Sequence, residues 1–490
     1  MSKRLINIKV VSNVVGSLVM IAGGLMAVAI PFSIYYKEDD LYPIIISSCV
    51  TLLLGLLMKY STKQSKNDEV KKREGYLIVA LGWLSMTICS SLPYVLSGAI
   101  PHYSDAFFET ISGLTTTGAS ILNDIEGLPK GILFWRSMTQ WIGGMGIIVL
   151  TIAILPLLGV GGMELFASEA PGPTKDKIHP RIKETAKRLW IIYFSLTVFQ
   201  CILLMFAGMD FYDAINHSLT TMSTGGFSTK QASIAYFDSS LIQYIIIAFM
   251  FIAGTNFTLL YFGFKFKFKK IWKNDEFKWY LGAVISLVAI TLPTIYILHN
   301  NNQGFEKVFR DTLFQIVSII TTTGYASADF TTWGTFITFI FFLLLFTGAS
   351  AGSTSGGMKI VRIVLLIKNG FLEFKRRLHP SAVIPVHLNE EGVSSKIIYN
   401  LLAFVFFYLF VFVTGSIIMT FLGVDFLEAI SAVATSLGNV GPGIASVGPS
   451  ENFYHIPTAG KWVLAFLMLL GRLELFTIAI LFTPYFWKRN

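Results

Sequence analysis

Apolar residues in this chain come in long blocks, and polar residues are confined to the gaps between them. A helix of about 20 apolar residues crosses the ~30 Å hydrocarbon layer of a bilayer, where every backbone polar group must bond inside its own helix. Ten membrane-spanning helices are predicted on that basis, near 10–35, 41–59, 76–100, 131–158, 188–208, 241–264, 279–298, 334–370, 397–421 and 461–486. Four further segments follow the third, fifth, seventh and ninth spans, each too short or too polar to cross. They read DAFFETISGLTTTGAS from Asp105, DAINHSLTTMSTGGFS from Asp213, DTLFQIVSIITTTGYAS from Asp311 and DFLEAISAVATSLGNVGPG from Asp425.

The four copies share a plan. Each opens with Asp, a favoured helix N-cap, and runs through about three helical turns. Each then reaches a small or hydroxyl-rich stretch ending at Gly118, Gly225, Gly324 or Gly438, which lie 13, 12, 13 and 13 residues after the Asp. Twelve helical residues cover about 18 Å, roughly half a membrane. Each copy therefore predicts a re-entrant half-helix followed by an extended strand, tolerated at membrane depth only where it is buried in protein or lines a watery cavity. Four helix C-termini converging with their negative dipole ends favour a cation. Glycine at the strand lets backbone carbonyls turn toward a common axis and replace an ion's hydration shell. The predicted ion ligands are Thr116, Thr117 and Gly118; Ser223, Thr224 and Gly225; Thr322, Thr323 and Gly324; and Ser436, Leu437 and Gly438. No acidic ring stands at these positions, which argues against a divalent-cation site.

The chain thus divides into two extra N-terminal transmembrane helices (1–72) and four membrane–pore loop–membrane repeats. The repeats cover 73–174, 175–275, 276–390 and 391–490, around one pore in an all-α polytopic membrane protein. The third repeat has a broken second helix. Its eighth span starts apolar and then becomes GASAGSTSGGM from Gly348 to Met358, with four glycines and three serines before Met358. Continuous helix is not stable through such a stretch. An irregular loop under the third strand is expected, placed to act as a gate; the bland alternative is close helix packing by small residues.

Composition agrees. Of 490 residues 53% are hydrophobic and 14% charged, against about a quarter charged in soluble domains. The net charge of +9 reflects basic loops rather than nucleic-acid binding. Lys and Arg cluster before the first span, at 59–73, 175–188, 265–278 and 368–377, and at Lys488 and Arg489, alternating with cation-poor connections. The positive-inside rule then puts both termini in the cytoplasm, which requires an even number of spans. Ala27-Val28-Ala29 imitates a signal-peptidase site, but the apolar run is long and bulky Ile30-Pro31 follows, so a retained span is expected. Cys49, Cys89 and Cys201 lie in apolar stretches with no metal or disulfide pattern, and core packing is expected of all three.

Charged groups inside the spans are the remaining anomalies. Arg472, in the last span, faces either the pore, as a positive charge below the strands, or carboxylates or carbonyls of the short pore helices as a structural bridge. Neighbouring Glu474 points elsewhere on the helix. Arg136 lies near an outer interface, where snorkelling accounts for it. Glu109 and His217 are expected to brace the strands. GVGG from Gly159 lacks the full dinucleotide spacing, no hydrolase or Walker motif occurs, and the histidines give no metal spacing. The chain is not read as an enzyme.

With these features located, the chain resembles the TrkH/TrkG/KtrB superfamily of K⁺ uptake proteins, and most closely its TrkH branch. The likeness runs the whole length and is strongest in FFETISGLTTTGAS, FWRSMTQWIGGMGIIVL, GMELFASEAPGP, HSLTTMSTGGFS, GASAGSTSGGMKIVR and GRLELFT. It implies K⁺ (sometimes Rb⁺) as the ion and a homodimer with one pore per protomer in the bacterial cytoplasmic membrane. It also implies a cytosolic TrkA-type regulatory ring that binds the nucleotide (NAD, ATP or ADP), with no cofactor on this chain, lipid as surroundings and no nucleic acid. The family's gating elements fall on Gly348, Gly352, Gly356, Gly357 and Lys359, and its pore arginine on Arg472. In related plant transporters Ser at the first filter glycine accompanies Na⁺ preference; here it is Gly118. The alternative is a Na⁺-coupled or weakly selective cation transporter, and symport with H⁺ or Na⁺ stays open.

Overall fold

The computed structural model describes residues 6–62, 71–144, 146, 182–298, 304–382 and 384–488. The far half of the fourth predicted span, the GMELFASEAPGP motif and Gly159 lie outside the described residues.

Two N-terminal helices come first. Helix α1 (Ile8–Met26) passes through a 3₁₀ turn into α2 (Ile30–Tyr36), giving one 29-residue apolar span, and α3 (Leu41–Tyr60) returns beside it. Glycines make that packing possible. Any side chain on Gly16, Gly23 or Gly55 would collide with the facing backbone, and Ser48 Oγ donates to Gly23 O at 2.8 Å across the pair. Small residues set close helix approach in membranes, because lipid gives apolar side chains no reason to associate.

The rest repeats one pattern. A long helix, α4 (Lys72–Ser90) with its continuation α5 (Leu92–Leu96), leads to short α6 (Tyr103–Leu114) and then α7 (Lys130–Gly144). The second copy runs α8 (Ile182–Phe206), short α9 (Phe211–Met222), α10 (Ser240–Ala253) and α11 (Phe257–Phe264), with α12 (Phe268–Lys273) as connector. The third is α13 (Asp275–Leu298), short α14 (Phe305–Ile320), α15 (Thr335–Leu344) and α16 (Ile360–Leu378). The fourth is α17 (Ser395–Phe421), short α18 (Phe426–Gly438) and α19 (Thr458–Arg472). Short helices α6, α9 and α14 each pack against the second helix of the preceding copy as well as their own flanking helices, and α6 does so against α19. The fourth copy therefore closes onto the first, and the architecture is the predicted all-α polytopic one.

Polarity is inverted relative to a soluble protein. Phe406, Phe410, Ile417 and Phe421 of α17 are exposed, whereas Glu109, Gln140, His217 and Thr115–Thr117 are fully buried. An apolar exterior of this extent is a lipid-facing surface.

Three expectations change. The sixth span, predicted as one helix over 241–264, bends by 109° between α10 and α11 at Gly254-Thr255-Asn256. The tenth bends by 108° after Arg472, where Glu474 and Leu475 adopt positive φ. Breaks in the second helix thus recur in copies two, three and four. Cys89 and Cys201 are buried as expected, but Cys49 is exposed on α3.

Candidate functional site

At the end of each short helix the chain makes the same turn. Thr116, Thr224, Thr322 and Asn439 sit at φ of 53° to 56°, and two residues on Gly118, Gly226, Gly324 and Gly441 have φ of 77° to 106°. Between them, the amides of Thr117, Gly225, Thr323 and Val440 donate back to the carbonyls of Ser112, Thr220, Ser318 and Thr435 at 2.8–3.0 Å. The backbones therefore align as Thr116-Thr117-Gly118, Thr224-Gly225-Gly226, Thr322-Thr323-Gly324 and Asn439-Val440-Gly441.

These four return strands close into a ring. A β-carbon added to Gly118 would collide with Gly225 O, one on Gly226 with Thr323 O, one on Gly324 with Val440 O, and one on Gly441 with Thr117 O. Each glycine Cα lies against the carbonyl that precedes the next copy's glycine, and the fourth meets the first. Glycine is required here twice, by the positive φ and by the close approach.

That geometry revises the predicted register in two copies. The residue equivalent to Gly118 is Gly226, not Gly225, and in the fourth copy Gly441, not Gly438. Gly438 is still in α18, packed against Leu345 O of the third copy. Ser223, Ser436 and Leu437 end their helices and do not enter the strands. The Asp-to-Gly spacing pairs unlike acids. Counting 13 residues back from the ring glycines gives Asp105, Asp213, Asp311 and Glu428. Asp425 instead corresponds to Asp210, and both are helix N-caps: Asp425 accepts from Leu427 N, Asp210 from Tyr212 N and Asp213 N. Asp105 and Asp213 lie in the first turn and Asp311 in the second, so none of the three caps its helix.

These acids hold the ring's outer end together. Asp105 pairs with Lys461 of α19 at 2.8 Å, Asp213 accepts from Thr229 Oγ1 at 2.6 Å, and Asp311 accepts from Ser327 Oγ at 3.0 Å. Glu428 pairs with His455. One turn further in, Glu109 accepts from Ser120 Oγ and Ile121 N, both at 2.9 Å, and His217 Nε2 bonds Ser228 Oγ at 2.9 Å. Bracing of the strands by Glu109 and His217 is what the sequence predicts. Arg136 is a correction. It does not snorkel but is 2% exposed, paired with Glu109 at 2.7 Å, donating to Ser228 O at 3.0 Å and stacked 3.5 Å from the Phe227 ring centre. It ties the first strand to the second. Gln140, one turn along α7, reinforces this by donating to Gly225 O at 2.6 Å and accepting from Phe227 N. Nothing in the sequence singles out Gln140.

Beneath the ring lies the loop between α15 and α16. Its ends are pinned by a short parallel pair, β1 (Thr347–Gly348) with β2 (Met358–Lys359). Its middle is tied to the helix ends around it. Gly356 N donates to Thr322 Oγ1 at 2.7 Å, and Thr354 Oγ1 donates to Met222 O and Ala253 O at 3.1 and 3.2 Å. Ser350 N donates to Gly254 O and Phe257 N to Gly352 O, both at 3.0 Å, so the break in copy two grips the loop. Gly352 and Gly357 have positive φ. A β-carbon on Gly348 would collide with Gly356 O and one on Gly356 with Asn439 and Gly438 O, and Lys359 Nζ bonds Ser355.

Arg472 reaches the loop from the fourth copy. It donates to Thr354 O at 2.9 Å and to Gly143 O and Gly144 O of α7, the latter at 3.1 Å. These acceptors belong to the loop and to α7, not to the short helices that the sequence suggests for a structural bridge, while Glu474 turns away to pair with Arg362. Among the described residues no cluster of three His, Cys, Asp or Glu offers a transition-metal site.

The chain is similar to known proteins along nearly its whole length. The chain is 41% identical over 484 residues to the Trk system potassium uptake protein TrkH of Escherichia coli (strain K12), covering 98% of this chain and 99% of that one. It is 33% identical over 485 residues to the Trk system potassium uptake protein TrkG of the same strain, covering 98% and 99%. The crystal structure of the potassium transporter TrkH from Vibrio parahaemolyticus superposes with a TM-score of 0.88 at 38% identity, over 98% of this chain and 100% of that one. These relatives are transporters and not enzymes. The sequence profile of the TrkH family, described as a cation transport protein, matches residues 42–489, and the chain belongs to that family.

Proposed function

We propose that the chain takes up K⁺ across the bacterial cytoplasmic membrane through the ring of return strands. The closed cycle of glycines and carbonyls carries this reading. Its four strands each set a backbone carbonyl against a neighbouring copy's glycine, with no carboxylate among the twelve aligned residues. Carbonyl oxygens suit a dehydrated monovalent cation, and four short helices aim their negative ends at the same place. The relatives' names point to K⁺ as that cation.

The loop at 348–357 is the gate of this pathway. Hydrogen bonds to Thr322, Met222 and Gly254 support a closed position directly below the ring. Arg472 and Lys359 act as latches on its carbonyls rather than as ion-repelling charges. Opening needs the loop to leave, and the work comes from a cytosolic TrkA-type ring that carries the nucleotide. Two chains pair as a homodimer with one pore each, both termini cytoplasmic. A membrane potential worth about 2.3 kcal/mol per charge per 100 mV drives uptake without an obligatory coupling ion.

K⁺ and Na⁺ fluxes into vesicles holding the purified protein test the assignment. Gly118→Ser puts a side chain against Gly225 O and is expected to erode the preference for K⁺. An unchanged K⁺-over-Na⁺ ratio in a folded variant refutes it.

A further inference from the structure

We propose that an anionic phospholipid binds in a cavity beside the gate loop and sets the loop's position. The cavity measures about 420 Å³ and lies between α13, α15 and α16. Its floor is Ile320, the last residue of short helix α14, and its inner wall is Thr347 and Gly348 of β1 with Ile360 at the start of α16. The start of the loop and the helix that follows it therefore form part of the wall. The opposite wall is α13 from Lys278 to Leu287, a helix that keeps little of its surface buried.

Its chemistry selects the occupant. The lining is apolar along its depth, and Lys278 is its only charged residue among those described. Lys278 and Trp279 stand together at one end, next to the basic 265–278 connection, and both are exposed. Lys and Trp at the edge of an apolar slot mark the level of lipid headgroups, and basic pockets between membrane helices take anionic ones. An acyl chain fits the slot and a phosphate fits its mouth. The volume falls within the ~300–1,000 Å³ typical of built ligand sites. At Gly282, on the wall, an added side chain meets nothing within 4 Å, so the space is open rather than filled by protein.

Binding stands on the cavity alone; its effect on transport rests on reading the loop as the gate, so the two are measured separately. For binding, the protein is placed in nanodiscs containing phosphatidylglycerol or phosphatidylcholine brominated on the acyl chain, and tryptophan quenching is recorded against a Trp279→Phe control. Trp279 is expected to be quenched more by the anionic lipid. Lys278→Gln is expected to reduce that preference about fivefold, and Gly282→Phe, which fills the slot, to abolish it. Quenching that is equal for both lipids, or that survives Gly282→Phe, means ordinary surrounding lipid only and overturns the site. Absent quenching means that a second copy or another segment covers the slot, and overturns it too. For coupling, K⁺ flux is compared in phosphatidylglycerol vesicles. Gly282→Phe is expected to shift basal flux severalfold; loss of lipid preference with unchanged flux overturns the regulatory half.

Discussion

The ring of return strands and the helix breaks beneath it were built by the same fourfold repetition, yet they have diverged to very different degrees. In the ring only copies one and three share a sequence, Thr-Thr-Gly, against Thr-Gly-Gly and Asn-Val-Gly, but the backbone angles and the amide-to-carbonyl bonds of all four coincide. Below it, the second helices break by three residues in copy two, three in copy four and a long pinned loop in copy three. The reason is closure. Each strand is in contact with the next, so a shift in one must be absorbed by all four, and only the backbone is held in common. The breaks are joined by separate hydrogen bonds to the loop rather than by a closed cycle, so one copy can lengthen alone. Equivalent positions thus carry the proposed selectivity, and a single differentiated position carries the proposed gate.

The sharpest way to break the ring is from its outer brace. Arg136 and Glu109 form a buried pair that joins copy one to copy two. Removing one partner of such a pair costs about 3–5 kcal/mol, because the other charge is left buried. Arg136→Ala is expected to lower thermal stability by that order in detergent, measured by tryptophan fluorescence. Arg136→Lys should recover only part of it, since an ammonium cannot reproduce the planar stacking on Phe227. An unchanged melting temperature for Arg136→Ala contradicts the brace.

A second test separates the two candidate glycines of copy two. Gly226 needs positive φ and abuts Thr323 O, whereas Gly225 has ordinary φ and meets only the end of the Gln140 side chain. Left-handed backbone costs a non-glycine residue about 1–2 kcal/mol, before any collision. Gly226→Ala should therefore reduce K⁺-over-Na⁺ selectivity by about tenfold or more, and Gly225→Ala much less. The reverse order in ion flux restores the register that the Asp-to-Gly spacing suggested.

How much of this was legible in sequence differs between the two regions. Span lengths and the repeated short helices were readable because hydrophobic thickness fixes them. The break in copy three was readable because four glycines in one span leave no helical alternative. The breaks at Gly254-Thr255-Asn256 and Arg472–Leu475 were not, since one glycine in an apolar run does not decide between a bend and a straight helix. In the ring, Asp425 looked like the partner of Asp105, though it is a cap. A ring hydroxyl gives the better ruler: Ser112, Thr220, Ser318 and Thr435 each stand six residues before their glycine. That spacing is fixed by the amide bond back to the same residue, which the turn requires. Arg136 was misread because its partner, Glu109, is 27 residues away and belongs to another helix.

On the gate side, Arg472 is the larger of the two proposed latches. Its guanidinium donates to Thr354 O on the loop and to two carbonyls at the end of α7. Hydrogen bonds from a charged donor contribute about 1.5–3 kcal/mol, so Arg472→Ala should raise basal K⁺ flux by about tenfold or more while leaving selectivity in place. A properly folded variant with parental flux argues that the loop is held by its other contacts alone.

The smallest expected effect tests where ring and loop meet. Thr322 is the third copy's left-handed residue, and its hydroxyl accepts from Gly356 N of the loop at 2.7 Å. Thr116 occupies the equivalent place in copy one, and its buried hydroxyl oxygen has no partner among the described residues. Valine keeps the shape of threonine and removes the acceptor. Loss of one such bond is worth about 1 kcal/mol, or about fivefold in an equilibrium. Thr322→Val should therefore raise basal flux about fivefold, and Thr116→Val should leave it unchanged, since copy one contributes no loop contact through that hydroxyl. Equal responses at the two positions would mean that both hydroxyls serve the ion and neither serves the gate.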